Sequence, residues 1–160
     1  MKYLYIMRHG EAEAFNFTLD DFERDLSESG SKKVRKVAQR FAQKAEAIEL
    51  LVSSPAKRAY ETAKLWMLHS GLAAQAVQTD SKIYRAKSAD LLGLIHSIDE
   101  DVDSLMLIGH NPGITDFVCD LVGESIVSIP TSGIVRLFLP VAHWYEVECK
   151  KNSIVNMELT

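Results

Sequence analysis

Arg8 and His9 stand side by side where an apolar run, Tyr3–Met7, gives way to polar sequence at Gly10 and Glu11. A guanidinium offers a planar fork to phosphate oxygens, and an unprotonated imidazole can attack phosphorus. A second imidazole, His110, follows another apolar run, Ser104–Gly109. A second guanidinium, Arg58, falls in the first turn of a helix opening at Ser54-Pro55, where orphan backbone N–H groups also favour an anion. By helical position alone Arg58 reads first as a surface arginine, and His110 also reads as a structural histidine at a helix start. Taken together, two forks and two imidazoles suit the binding and transfer of a phosphoryl group.

The elements that must position these residues alternate between strand and helix. Residues 2–7 read as a buried strand, with Arg8 and His9 at its C-terminal edge, where α/β sheets present chemistry to a crevice. Residues 11–26 read as a polar loop whose one basic residue is Arg24. Ser27 is the expected cap of a helix with Val34, Val37, Ala38, Phe41, Ala42 and Ala45 on its inner face. Lys32, Lys33, Arg35, Lys36 and Arg40 give that helix a solvated face. Ile48–Ser53 is the expected second strand, followed by a helix from Ser54-Pro55 to His69 or Ser70, ended by Gly71. Ala76–Thr79 suggests a short edge strand, and Ala89–Ile98 a helix in which His96 is structural or exposed.

Ser104–Gly109 repeats the first motif, a buried strand with a histidine at its end, and Asn111-Pro112 opens a helix closed by Gly123. If the two strands are neighbours, His9 and His110 meet in one crevice. Beyond a turn at Thr131–Gly133 come strands expected at Ile134–Leu139, Trp144–Cys149 and Ile154–Leu159, the last two forming a hairpin turned at Lys150–Asn152. Trp144 and Tyr145 read as packing residues.

A chain of 160 residues, 47% apolar, suits one domain over residues 1–160 with a full core. Its 18 basic and 22 acidic side chains, net charge -4, argue against nucleic-acid or anionic-membrane binding. Cys119 and Cys149 match no metal spacing or disulfide framework, which fits a cytoplasmic setting. No apolar run approaches the roughly 20 residues of a membrane span. The acidic turn Asp99, Glu100, Asp101 and Asp103 has no interleaved histidine or cysteine, so it reads as a solvated helix end rather than a metal site.

Six motifs in order carry a resemblance: Met7–Ala12, Arg24–Gly30, Ser53–Ala59 with Thr62, Ile83–Ala86, Gly109–Gly113 and Thr131–Gly133. The pattern resembles the histidine phosphatase superfamily (phosphoglycerate mutase-like), and within it the small SixA-type phosphohistidine phosphatases. The resemblance implies a three-layer α/β/α sandwich with a mostly parallel central sheet. It implies that His9 is the nucleophile that becomes phosphohistidine, that Arg8 and Arg58 clamp the phosphoryl oxygens, and that His110 is the pocket's second histidine. Arg24 is implied near the phosphate. No metal or cofactor is required for this chemistry.

Many relatives that act on phosphate monoesters carry a glutamate acid on the loop matching Lys82–Lys87, and that loop has no carboxylate here. Asp80, Asp90 and Glu11 lie nearby without a convincing placement. An alkoxide leaving group needs a proton, whereas an imidazole, with pKa about 6.5, needs far less help. The expected partner is therefore a phosphorylated protein, such as a histidine phosphotransfer or phosphocarrier domain. A small phosphorylated metabolite is the alternative substrate, and a non-catalytic phosphate-binding adaptor the alternative of a different class.

Overall fold

A computed structural model describes residues 1–44, 47–71, 77–149 and the backbone of 157–159. Its centre is a six-stranded sheet in the order β3-β2-β4-β1-β5-β6. The strands are β1 (Lys2–Arg8), β2 (Leu50–Ser53), β3 (Gln78–Thr79), β4 (Ser104–Gly109), β5 (Ile134–Leu139) and β6 (Met157–Leu159). β1, β2, β3 and β4 run parallel, β5 is antiparallel to β1, and β6 is antiparallel to β5.

The two central strands explain the layering. Side chains alternate across a strand, so continuous apolar runs feed two cores at once. Leu4 and Ile6 of β1, with Leu105 and Leu107 of β4, face one core with Leu91, Leu94 and Ile95 of α3 (Ser88–His96) and Phe117, Val118 and Leu121 of α4 (Gly113–Val122). Tyr5, Met7, Met106 and Ile108 face the other, with Val34, Ala38 and Phe41 of α1 (Glu28–Ala42) and Ala59, Ala63 and Trp66 of α2 (Lys57–His69). The result is the expected α/β/α sandwich.

Local signals act as anticipated at several ends. Ser27 caps α1 by accepting the N–H of Gly30 at 3.0 Å, and the basic residues of α1 face solvent. Gly123 closes α4 with φ of 75°. Gly30 is demanded by packing, because a Cβ there would stand 2.2 Å from the Glu11 carbonyl oxygen. Gly113 is equally constrained, with the Ala86 carbonyl 2.2 Å from a built Cβ. The acidic turn serves structure: the buried Lys2 ammonium donates to Asp103 and to the carbonyls of Glu100 and Val102. His96 is exposed, with Nε2 2.8 Å from the Val147 carbonyl, as a structural tie.

Three expectations are corrected. Ser54-Pro55 does not open α2, which starts at Lys57 after Ala56; the Ser54 hydroxyl accepts the Ala56 N–H and lies 2.8 Å from His110 Nε2. Trp144–Cys149 is no strand. Glu146 accepts the N–H groups of Ala142 and His143 at 2.9 Å each, curling Trp144–Glu146 into a 3₁₀ turn. That turn buries Trp144, whose indole N–H donates to the Val102 carbonyl at 2.7 Å. Accordingly β6 pairs with β5 rather than with residues 144–149. Ala45, Ala76, the Lys150–Asn152 turn and residues 154–156 lie outside the described residues.

Candidate active site

β1 and β4 pair in parallel with Arg8 opposite Gly109, so the next residue of each strand is a histidine on the same edge. The His9 N–H donates to the Gly109 carbonyl at 3.1 Å, and the two imidazole centroids are 4.9 Å apart. The turn ahead of β5 secures the other side: the Ser132 N–H bridges the carbonyls of Arg8 and His9, and the Arg8 N–H donates to the Gly133 carbonyl. The Ser54 N–H, just past β2, donates to the Ile108 carbonyl, which launches α2 beside the same edge and brings in Arg58.

His9 lies 2.6 Å through Nδ1 from its neighbour's carbonyl, Gly10 O. Arg58 Nε–H approaches His9 Nε2 at 3.3 Å. Because a guanidinium only donates, Nε2 holds the lone pair and Nδ1–H donates to Gly10. The Gly10 turn is itself held by Thr62, whose buried hydroxyl accepts the Gly10 N–H at 2.9 Å and donates to the Arg58 carbonyl at 2.7 Å. Thr62 thus joins the histidine turn to the helix that carries Arg58.

Arg58 is 6% exposed, so it is not the surface arginine its helical position suggested. Its Nη1 donates to the Asp21 carbonyl at 2.5 Å and its Nη2 to Asp21 Oδ2 at 3.0 Å. Arg24 reaches this cluster through the same carboxylate, Nη1 to Asp21 Oδ1 at 3.0 Å, while its Nε and Nη2 hold the Glu13 carbonyl. The structure therefore brings Arg24 to Asp21 and not into hydrogen-bonding contact with either imidazole. Tyr84 completes the cluster, its hydroxyl 3.1 Å from Asp21 Oδ2 and its ring edge against His110 at 5.5 Å.

Arg8 donates from Nη1 to the Ile129 carbonyl at 3.0 Å, and its buried Nε has no hydrogen-bond partner among the described residues. His110 lies 2.8 Å through Nε2 from Ser54 Oγ, and its buried Nδ1 likewise has no partner among the described residues. Ser54 Oγ accepts the Ala56 N–H at 3.2 Å, and its remaining proton and lone pair can serve either tautomer of His110 through Nε2. A cavity of about 900 Å³ opens from Arg58 and His110 past Tyr84, between Lys87 at the start of α3 and Asp116 on α4.

Asp21, Tyr84 and Ser54 were not anticipated as site residues. The one usable signal was the Asp21-x-x-Arg24 spacing, which suits an ion pair on a single turn. Among the described residues, no three His, Cys, Asp or Glu side chains are disposed to hold a metal ion, and no helix is long and apolar enough to cross a membrane.

The sequence profile of the histidine phosphatase superfamily, branch 1, matches residues 4–84. The chain belongs to this superfamily. A solved structure from Agrobacterium tumefaciens, provisionally described as phosphohistidine phosphatase SixA, is 28% identical with a TM-score of 0.77, covering 85% of this chain and 91% of that one. The protein histidine phosphatase SixA in complex with tungstate is 26% identical, TM-score 0.73, covering 86% and 88% respectively. A mycobacterial glucosyl-3-phosphoglycerate phosphatase shares the fold alone at 16% identity and TM-score 0.68, covering 99% and 96%.

Both imidazoles of this histidine phosphatase are poised neutral. Burial pushes His9 down to about 4, helped by the charges of Arg58, Arg8 and Arg24 and opposed by the Gly10 carbonyl. Burial likewise pushes His110 down to about 3, with His9 and Arg58 adding to the effect. A histidine free in the unfolded chain titrates near 6.5, so above that pH neither state carries the charge and the stability is present in full. As pH falls below 6.5, the unfolded chain binds protons that the folded chain refuses, and stability declines until the folded values are passed. Each histidine contributes a slope of about 1.4 kcal/mol per pH unit over that window. Thermal unfolding should therefore drop steeply between pH 6.5 and about 4, and His110→Asn should flatten the profile. Equal slopes in parent and variant would show that His110 is not buried neutral.

Proposed function

We propose that this phosphatase removes phosphoryl groups from a histidine-phosphorylated protein through a covalent intermediate on His9. The observation that carries the reading is the orientation of His9: Nδ1–H is held by the Gly10 carbonyl, and the lone pair on Nε2 faces the Arg58 fork. That lone pair attacks phosphorus in line with the leaving nitrogen. The P–N bond to the substrate histidine breaks, its electron pair stays on the departing ring, and that ring takes up one proton from solvent. Arg58 and Arg8 hold the phosphoryl oxygens, and His110, in the tautomer with its proton on the unpartnered Nδ1 and with Nε2 facing Ser54, donates to a further oxygen. Water then attacks the phosphorus on His9, and the P–N bond breaks to release inorganic phosphate and the neutral imidazole. The guanidinium charges do the work a divalent cation performs in other phosphoryl transfers.

Support for an imidazole leaving group comes from the carboxylate bonded into the cluster. Asp21 is held down to about 2, burial being outweighed by Arg24, Arg58 and Tyr84. A carboxylate that stays ionised there has no proton for an alkoxide. The likeness to SixA supports the same substrate class. The cavity between α3 and α4 favours one second reading, a small phosphorylated metabolite bound beyond His110.

Single-turnover dephosphorylation of a histidine-phosphorylated carrier domain, beside a panel of phosphate monoesters, separates the two. The expected result is a carrier rate roughly 100-fold above every monoester, a barrier difference of about 2.7 kcal/mol. A monoester that outruns the carrier overturns the phosphohistidine reading.

A further inference from the structure

A guanidinium has two usable edges for an oxyanion, the end formed by Nη1 and Nη2 and the side formed by Nε and Nη2. In Arg58 the end edge is spent on one residue, the carbonyl of Asp21 taking Nη1 and its carboxylate taking Nη2. The side edge points at His9, with Nε 3.3 Å from Nε2. Asp21 is in turn fixed from two further directions, by Arg24 at 3.0 Å and by Tyr84 at 3.1 Å. It opens a 3₁₀ turn, Asp21–Glu23, capped by the Asp20 carboxylate accepting the Phe22 N–H, and Phe22 packs edge-on against Tyr84.

We infer that Asp21 is a positioning residue: it holds the end of the Arg58 guanidinium so that the side edge meets phosphoryl oxygens beside His9 Nε2. The inference rests on the proposed role of Arg58 as a phosphoryl ligand. Its chemistry carries two opposed consequences. The carboxylate orients the fork, which speeds transfer, yet its negative charge stands beside two arginines and repels a bound phosphate. Removing it should therefore slow turnover while tightening the ground-state anion. A residue that merely supported the loop would lose binding and turnover together.

The test compares Asp21→Ala and Asp21→Asn with the parent in the full chain, reading kcat and KM on a histidine-phosphorylated carrier and, separately, the affinity for inorganic phosphate by calorimetry. For Asp21→Ala we expect kcat to fall roughly 10- to 100-fold while phosphate binds several-fold more tightly. Asp21→Asn keeps an acceptor for Nη2 without the charge, so kcat should recover substantially while phosphate stays tighter than in the parent. Unchanged kcat in both variants overturns the inference, as does a parallel loss of kcat and phosphate affinity in a variant that unfolds at the parent's temperature. Arg58→Ala, measured alongside, keeps the two proposals apart. If it leaves phosphate affinity and turnover intact, the reading of Arg58 fails; if it impairs them while both Asp21 variants match the parent, the positioning role alone fails.

Discussion

Replacing His9 with alanine is expected to lower turnover by roughly 10⁴-fold or more, because the proposed mechanism forms its covalent intermediate on His9 Nε2. The loss should coincide with disappearance of an acid-labile phosphoryl label on the protein after mixing with a radiolabelled donor. Phosphate binding should persist, since Arg8 and Arg58 keep anchors that do not depend on the imidazole: Ile129 for one and Asp21 for the other. Circular dichroism and thermal unfolding guard against a trivial explanation, the site of the change being a nearly buried side chain beside His110. A His9→Ala protein that still acquires the label would move the nucleophile to another residue and remove the basis of the mechanism.

The second large effect is expected at Arg58. Arg58→Ala removes the fork that faces Nε2 of His9 and leaves the Asp21 carboxylate with Arg24 and Tyr84 as its partners among the described residues. Loss of one preorganised donor set aimed at developing charge costs about 10²- to 10³-fold in related chemistry. We therefore expect kcat/KM to fall by roughly 10³-fold, with most of the loss in kcat. Arg58→Lys should recover little, because a point-charge ammonium cannot hold Asp21 with one edge and a phosphoryl group with another. Steady-state kinetics of the two variants decide this. Near-parental activity in Arg58→Lys would mean that charge alone suffices and that edge geometry is unimportant.

The parts of this site that could be read in advance belong to the central strands. Residues 3–7 and 105–109 carry no charged side chain because both faces of each strand are buried, and a histidine stands just past the end of each strand, after Arg8 and after Gly109. Adjacency in a parallel sheet then makes the meeting of His9 and His110 a matter of register. Asp21 was hidden for the opposite reason. Its neighbours are polar and its turn is short, so the segment reads as solvated loop, and only the fold returns it to a helix 37 residues away. A serine before a proline has the form of a helix cap, and Ser54 does accept the Ala56 N–H, yet α2 starts only at Lys57 and the same hydroxyl also meets His110. The residues 144–149 carry strand-like composition, but Glu146 supplies local acceptors that close a turn before any strand partner is met.

The main chain at the Arg8-His9 step is pinned on both flanks, by the Gly109 carbonyl of β4 and by the Ser132 N–H and Gly133 carbonyl ahead of β5. Its freedom to translate and rotate is surrendered when the sheet forms, long before any substrate arrives. On the proposed mechanism, the encounter with a phosphoryl group then has little remaining disorder to remove from the His9 ring, and the transfer takes on the character of an intramolecular step. In this molecule the entropy of alignment is settled during folding, and binding has only the incoming group to orient.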